Sequence, residues 1–539
     1  MPCSSKACPT PSGTLPVVRL DRRKFLLSSV AGTLALGPGL AMPAISHAAT
    51  RPQLSHGVQS GDVDARSGMI WARSDRPARL HVQVATTESF KDAVRVASLD
   101  ARPARDLTVK HLLVDLPPDQ TIFYRLRFAN LSYTSTKSQP LIGRFRTAPL
   151  SHRNVRFVWS GDTAGQGWGI NTEDGGMRTY ATMATHDPDF FIHSGDTIYA
   201  DGPIKPEVQL PGGGVWKNIV QEGVGKVAET LDEFRGRWKY NLLDENLLGF
   251  NATVPTYFQW DDHDVLDNWS PATDLRQDAR YKEKSIEKLV ERAARAFHEM
   301  TPIVYFPEEP GRIYRRISYG PLLDIFFVDL RSYRGPNGPS LETELTPSSR
   351  IIGETQMLWL KRELAASKAT WKVIACDMPI GLIVWDDWKE RKGVEAVANG
   401  DQGKPLGREL EFADLLKFIK GSEIHNVVWL TADVHYTAAH YYSPDKAQFQ
   451  DFEPFWEFVS GPLHAGTFGP NELDRTFGPD VKFMKAPSRE QGVNLPPSAG
   501  LQFFGLVDID GKTEQMTVRL MDRGDAELYK VTLDPKRRA

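Results

Sequence analysis

Between residues 155 and 459 the chain repeats one pattern: a short run that is apolar throughout, closed by an abrupt polar end. "VRFVW", "DFFI", "TYFQW", "LLDIFFV", "WKVIAC", "NVVWLT" and "FWEFV" have no polar face to turn toward water. Strands of this kind are stable only where both faces are covered by other layers. Helix-like stretches alternate with them, among them "LDEFRGRWKYNLLDENLL", "EKLVERAARAFHEM", "TQMLWLKREL" and "LEFADLLKFIKG". The pattern predicts a layered α/β domain.

Ahead of it, from about Arg51 to Thr147, the periodicity is different. "GMIWARS", "RLHVQVAT", "KHLLVDL", "IFYRLRFANL" and "IGRFRTA" alternate with period two and are separated by turns such as "RSG" and "PPDQ". Close turn spacing with this alternation predicts an antiparallel β-sandwich of the fibronectin type. Residues 49–148 are therefore read as an accessory sandwich, and 149–539 as the domain that carries the chemistry.

The first 48 residues read as an export signal. Arg22 and Arg23 stand before an apolar, small-residue stretch, and "SHAAT" supplies a small-residue cleavage site. This resembles a twin-arginine signal, which implies passage through the twin-arginine translocase and a periplasmic or extracellular destination. Gly37, Pro38 and Pro43 interrupt the apolar stretch, which argues against a permanent membrane span. Removal of the leader takes Cys3 and Cys8 with it and leaves Cys376 alone, so no intramolecular disulfide is expected. A formal net charge of −3 gives no basic field for nucleic acid.

The polar ends are where chemistry concentrates. "VRFVW" runs into "SGDTAGQG" with Asp162, and "DFFI" into "HSGDTIYADG" with Asp196, Tyr199 and Asp201. "TYFQW" leads to "DDHDVLDNW" with Asp261, Asp262, His263, Asp264 and Asn268. "DLRSYR" holds Asp329, Arg331 and Arg334, and "ADVHYTAAH" holds Asp433, His435 and His440. Ligands of open α/β sheets bind beyond the carboxyl ends of the strands, so these segments converge on one crevice. So many carboxylates in one partly desolvated place repel one another unless cations compensate them. A pair of hard or borderline cations, bridged by a carboxylate, is the simplest compensator. If "DDHD" is extended, Asp262 and Asp264 share one face while Asp261 and His263 share the other, so one acid orients a histidine or arginine.

Taken in order behind a fibronectin-like domain, "GDT", "GDTIYADG", "WDDHDVLDNW", "DLRSYR" and "ADVH" resemble the PhoD-like alkaline phosphatases of the metallophosphoesterase superfamily. The resemblance implies an αββα core, and it implies a phosphoesterase acting on phosphate mono- or diesters through hydroxide generated at metal. It makes Asp196 the bridging carboxylate, with Asp162, Tyr199 and His435 on a ferric ion and Asn268 and Asp433 on the calcium side. The superfamily's Asp-x-His motif is "DTA" here, and Tyr199 takes the place of the missing histidine. Its "GNH" is replaced by "DN", with His263 upstream as candidate proton donor. Arg331 reads equally as a partner of the phosphoryl oxygens or of an internal ion pair with Asp329 or another carboxylate. Two other readings stay open: a phospholipase D-like phosphodiesterase, and a secreted binding protein whose acids hold structural calcium. His440 reads as a packing histidine and Cys376 as a small core residue.

Overall fold

Along Thr121–Asn130 the side chains of Ile122, Tyr124, Leu126 and Phe128 are fully buried while those between them are only partly covered. That is the period-two alternation of the sequence turned into a strand with one face on a core. The computed structural model describes residues 51–537. The expected export signal, residues 1–48, lies outside the described residues.

Two antiparallel sheets form the N-terminal unit. One orders Leu54–Gly61, Gly68–Ser74 and Thr108–Leu113; the other orders Val94–Ala101, Ala78–Ala85, Thr121–Asn130 and Leu141–Arg146. This is the expected fibronectin-like sandwich. A buried ion pair joins it to the remainder: Arg315 Nη2 lies 2.7 Å from Asp62 Oδ1, and Arg315 Nη1 donates to the carbonyls of Phe258 and Ile313.

In the larger unit, two mixed sheets stack face to face. The first orders Thr256–Phe258, Phe190–His193, Val155–Ser160, Phe503–Ile509, Met516–Asp522 and Glu527–Leu533, the first three parallel. The second orders Arg315–Ser318, Leu323–Phe327, Trp371–Ala375, Val427–Thr431, Phe455–Val459, Thr437–Tyr442 and Pro479–Lys485. Phe157, Trp159 and Ile192 of the first sheet share a core with Ile325, Val373 and Leu430 of the second. Their neighbours point the other way: Val158 and Phe191 pack under the helices Arg178–Thr185, Leu231–Asn241, Glu245–Thr253 and Ile286–Met300. Phe326, Ile374 and Trp429 pack under Glu354–Ala366 and Glu409–Gly421. The layers are αββα, which is why the strands read as apolar throughout.

Local signals set the helix ends. Ser285 accepts from the Lys288 N–H at the start of Ile286–Met300, and its apolar residues at Ile286, Leu289, Ala293, Phe297 and Met300 keep helical spacing toward the core. Thr230 and Glu233 form a capping box on Leu231–Asn241. The stretch "LDEFRGRWKYNLLDENLL" is two helices rather than one, because Asp244 accepts from Leu247 N–H and opens the second.

Candidate metal centre

Asp162 follows the strand Val155–Ser160, Asp196 follows Phe190–His193, Asp262 follows Thr256–Phe258, and Asp433 follows Val427–Thr431. The carboxyl ends of both sheets thus open on the same crevice. Asp162, Asp196, Asn268, Asp433 and His435 all hold φ between 50° and 69°. Left-handed backbone is uncommon for residues other than glycine, and its concentration here marks a site whose geometry the fold enforces.

Four overlapping groups of ligand atoms result among the described residues. Asp162, Asp196 and His435 each offer an atom within 4.8 Å of the others; Asp196, Asp262 and His263 do the same, as do Asp261, Asp262 and Asp433, and Asp201, His263 and Asp267 at the edge of the cluster. Asp196 therefore belongs to two groups, and Asp262 links the second to the third. Tyr199 Oη lies 3.0 Å from His435 Nε2, and His435 Nδ1 donates to the Gly466 carbonyl. That bond fixes the tautomer and leaves Nε2 as the lone pair facing the acids. Two glycines make room: a Cβ on Gly165 would meet the Tyr199 ring at 2.0 Å, and one on Gly461 would meet Asp162 Oδ2 at 2.0 Å.

The electrostatics are those of a site short of positive charge. Burial, with Asp262 close by, pushes the Asp162 and Asp196 carboxyls well above the usual carboxylate range. Burial and then the Asp196 and Asp162 charges push the Tyr199 phenol up as well, whereas burial lowers His435 to about 4, so it is neutral. Both oxygens of Asp162 and Oδ1 of Asp262 are buried and accept no hydrogen bond among the described residues. Unbonded buried carboxylate oxygens beside a neutral imidazole form a donor set for a hard or borderline cation, so the residues present fit bound metal.

The other residues expected at the site have these places. His263 Nδ1 lies 2.9 Å from Asp201 Oδ1, its N–H donates to Asp196 Oδ1, and its Nε2 is 3.7 Å from Asp267 Oδ1. Asn268 donates its N–H to Asp262 Oδ2 at 2.6 Å and its Nδ2 to the Asp386 carbonyl at 3.2 Å, which leaves Oδ1 for a ligand. Arg331 is wholly buried, with Nη2 2.6 Å from Asp261 Oδ1 and Nη1 2.5 Å from Glu395 Oε2, so its guanidinium is committed to protein carboxylates. Asp329 accepts from the N–H groups of Arg331 and Ser332 and caps that turn. Arg334 donates to Asn337 Oδ1 and the Glu395 carbonyl. His440 packs against Glu457, buried, and Cys376 is in the core.

The "DDHD" segment is a turn, not an extended strand, so the shared parity of Asp262 and Asp264 does not hold. Val265 and Leu266 both donate to the Asp262 carbonyl, and Asp264 folds back to accept from the N–H groups of Asp261 and Ile198. Asp261, Asp262 and His263 thus all offer atoms to the ligand groups, and Asp264 does not. Glu395 and Asp377 also reach Arg331. Asp377 closes the apolar run "WKVIAC", whereas Glu395 lies in a loop-like stretch with no strand-end signal.

Residues 157–520 match the family described as PhoD-like phosphatase. The chain belongs to the PhoD-like phosphatase family. Residues 39–149 match that family's N-terminal domain. Alkaline phosphatase D of Bacillus subtilis (strain 168) is 29% identical over 447 residues, which is 77% of this chain and 71% of that protein. A structure of PhoD superposes with a TM-score of 0.65 at 20% identity, covering 89% of each chain. Purple acid phosphatase PPD1 from yellow lupin seeds superposes with a TM-score of 0.52 at 12% identity, over 90% of this chain and 74% of that one. The structural likenesses establish the metallophosphoesterase fold, and the family membership makes the chain a metal-dependent phosphoesterase rather than a non-catalytic binder. Among the described residues no helix is long and apolar enough to cross a membrane.

Proposed function

We propose that the protein, exported through the twin-arginine pathway to the periplasm or beyond, hydrolyses phosphate mono- or diesters at a centre holding Fe(III) and Ca(II). The observation that carries the reading is the meeting of Asp162, Asp196 and His435 from both sheets, with carboxylate oxygens that the protein leaves unbonded. Asp162, Tyr199 and His435 would hold the ferric ion, Asp196 would be shared, and Asp262, Asp433 and Asn268 would hold calcium. Bound there, the two cations supply the positive charge that favours attack by hydroxide on phosphorus and offsets charge on the phosphoryl oxygens.

The remaining work falls to the side chains. Asp201 holds His263 by Nδ1, which orients Nε2 as the atom that passes a proton to the departing ester oxygen, a role worth roughly 10²–10⁴-fold. Arg331 acts behind the acids: by neutralising Asp261 and Glu395 it keeps the cluster folded and spaced for cations, and it meets substrate only through them. Asn268 is fixed from both ends, by Asp262 and by Asp386, so its free oxygen has one direction to offer.

The test is Asp196→Ala, with metal content and ester hydrolysis measured on the same preparation. Loss of both supports the shared-ligand role. Full turnover with both metals retained would sink it.

A further inference from the structure

We propose that Trp388, at the tip of a hairpin tied to the acid cluster, is a specificity-determining residue that stacks on the leaving group of aryl phosphate esters; this rests on the phosphoesterase reading above. The hairpin pairs Trp385–Asp387 with Lys392–Val394. Both of its arms are fastened to the site. On the first arm the Asp386 carbonyl accepts from Asn268 Nδ2 at 3.2 Å. At the end of the second, Glu395 meets Arg331 at 2.5 Å. Asn337 clamps the pair from the side, donating to the Asn268 carbonyl at 2.6 Å and to Asp386 Oδ1 at 2.8 Å, while its own Oδ1 accepts from Arg334 and Arg408. The N–H of Val394 adds a bond to the Gly338 carbonyl at 2.8 Å.

So stiff a mount presents a residue that the fold does not use. Trp388 is 68% exposed, the most exposed of the large hydrophobic side chains among the described residues, and it stands two positions beyond Asp386. Lys389 Nζ lies over its ring at 5.6 Å from the centroid, so the ring already accepts a cation on its surface. The hairpin backbone beneath the indole is bonded to the site, so only the ring's own two torsions are lost when a flat group settles on it, which is what makes an aromatic platform selective. Aryl esters gain from that contact and alkyl esters do not.

The experiment compares parent, Trp388→Ala and Trp388→Phe on phenyl phosphate against butyl phosphate, with diphenyl and dibutyl phosphate beside them. With Trp388→Ala, kcat/KM for the aryl ester should fall about fivefold, through KM, while Trp388→Phe stays within about twofold of parent. The alkyl ester should be unchanged in both variants. Equal losses on aryl and alkyl esters, or no loss on either, would overturn the proposal and leave the phosphoesterase reading intact. Unchanged kinetics together with phosphatidylglycerol vesicle binding that Trp388→Ala abolishes would overturn it in favour of a membrane contact. Hydrolysis of none of these esters by the metal-loaded parent would remove the phosphoesterase reading and this one with it.

Discussion

Arg331 Nη2 lies 2.6 Å from Asp261 Oδ1 with the arginine side chain fully buried, so the acid cluster contains its own fixed cation. The same guanidinium reaches Glu395 at 2.5 Å and Asp377 at 3.3 Å. Removing it leaves those carboxylates buried without compensation, so Arg331→Met should cost about 3–5 kcal/mol of stability. Urea unfolding of the metal-loaded protein measures this. A stable variant with reduced turnover would instead place the guanidinium on the substrate.

Tyr199 gives a spectroscopic prediction. Its phenol is 3.0 Å from His435 Nε2 and beside Asp162, so a ferric ion held by these groups would be joined by a phenolate. The purified iron-loaded protein should be coloured, and Tyr199→Phe should lose the visible band while His435 and Asp162 still retain iron. A colourless, iron-replete parent would contradict the assignment.

Asp62 and Arg315, whose side chains are almost entirely buried, form an ion pair across the joint between the two units, beside bonds such as Lys110 Nζ to the His298 and Ile303 carbonyls. Breaking a buried pair by deleting one partner is worth about 3–5 kcal/mol, so Asp62→Ala should lower the melting temperature markedly. Calorimetry should show the sandwich and the larger unit parting into separate transitions, where the parent shows one.

Glu409 provides a pH dependence away from the metal centre. Burial, with Asp474 next to it, raises its carboxyl to about 8. The folded protein therefore keeps a proton that the unfolded chain gives up near 4.5, and the stability held below that value is lost as pH rises toward 8. Glu409→Gln keeps an acceptor for Asn399 Nδ2 and removes the titration. It should match the parent at pH 4 and exceed it at pH 9 by on the order of a few kcal/mol. Equal melting temperatures at pH 9 would contradict this.

Strand ends were the legible part of the site. Asp162, Asp196 and Asp433 follow apolar runs at glycine-rich or abrupt ends, and a local pattern suffices to place them at the mouths of strands. That the strands are covered on both faces was legible as well, since such strands cannot look amphipathic; their division into two stacked sheets was implied only by the family resemblance. The seats of Asp262 and Asp264 were not, because whether "DDHD" is extended or turned depends on hydrogen bonds to Ile198 and Asn268 that come from elsewhere in the chain. Glu395 was hidden for a similar reason. Its surroundings "KGVEAVANG" look like solvent-exposed loop, and its burial is explained by Arg331 and Arg334, 64 and 61 residues away. Arg331 itself reads equally as a phosphate partner or an internal ion pair, because an arginine in a polar strand end has the same sequence signature whether it faces substrate or neighbouring acids.

The most direct measurement is the initial rate of hydrolysis of an aryl phosphomonoester and its diester by the purified protein, before and after chelation, with metal content determined on each sample. Activity should vanish with the metals and return on adding calcium to iron-loaded protein, and the ratio of the two rates should identify the preferred ester. Undiminished hydrolysis by protein shown to be free of metal would contradict the account.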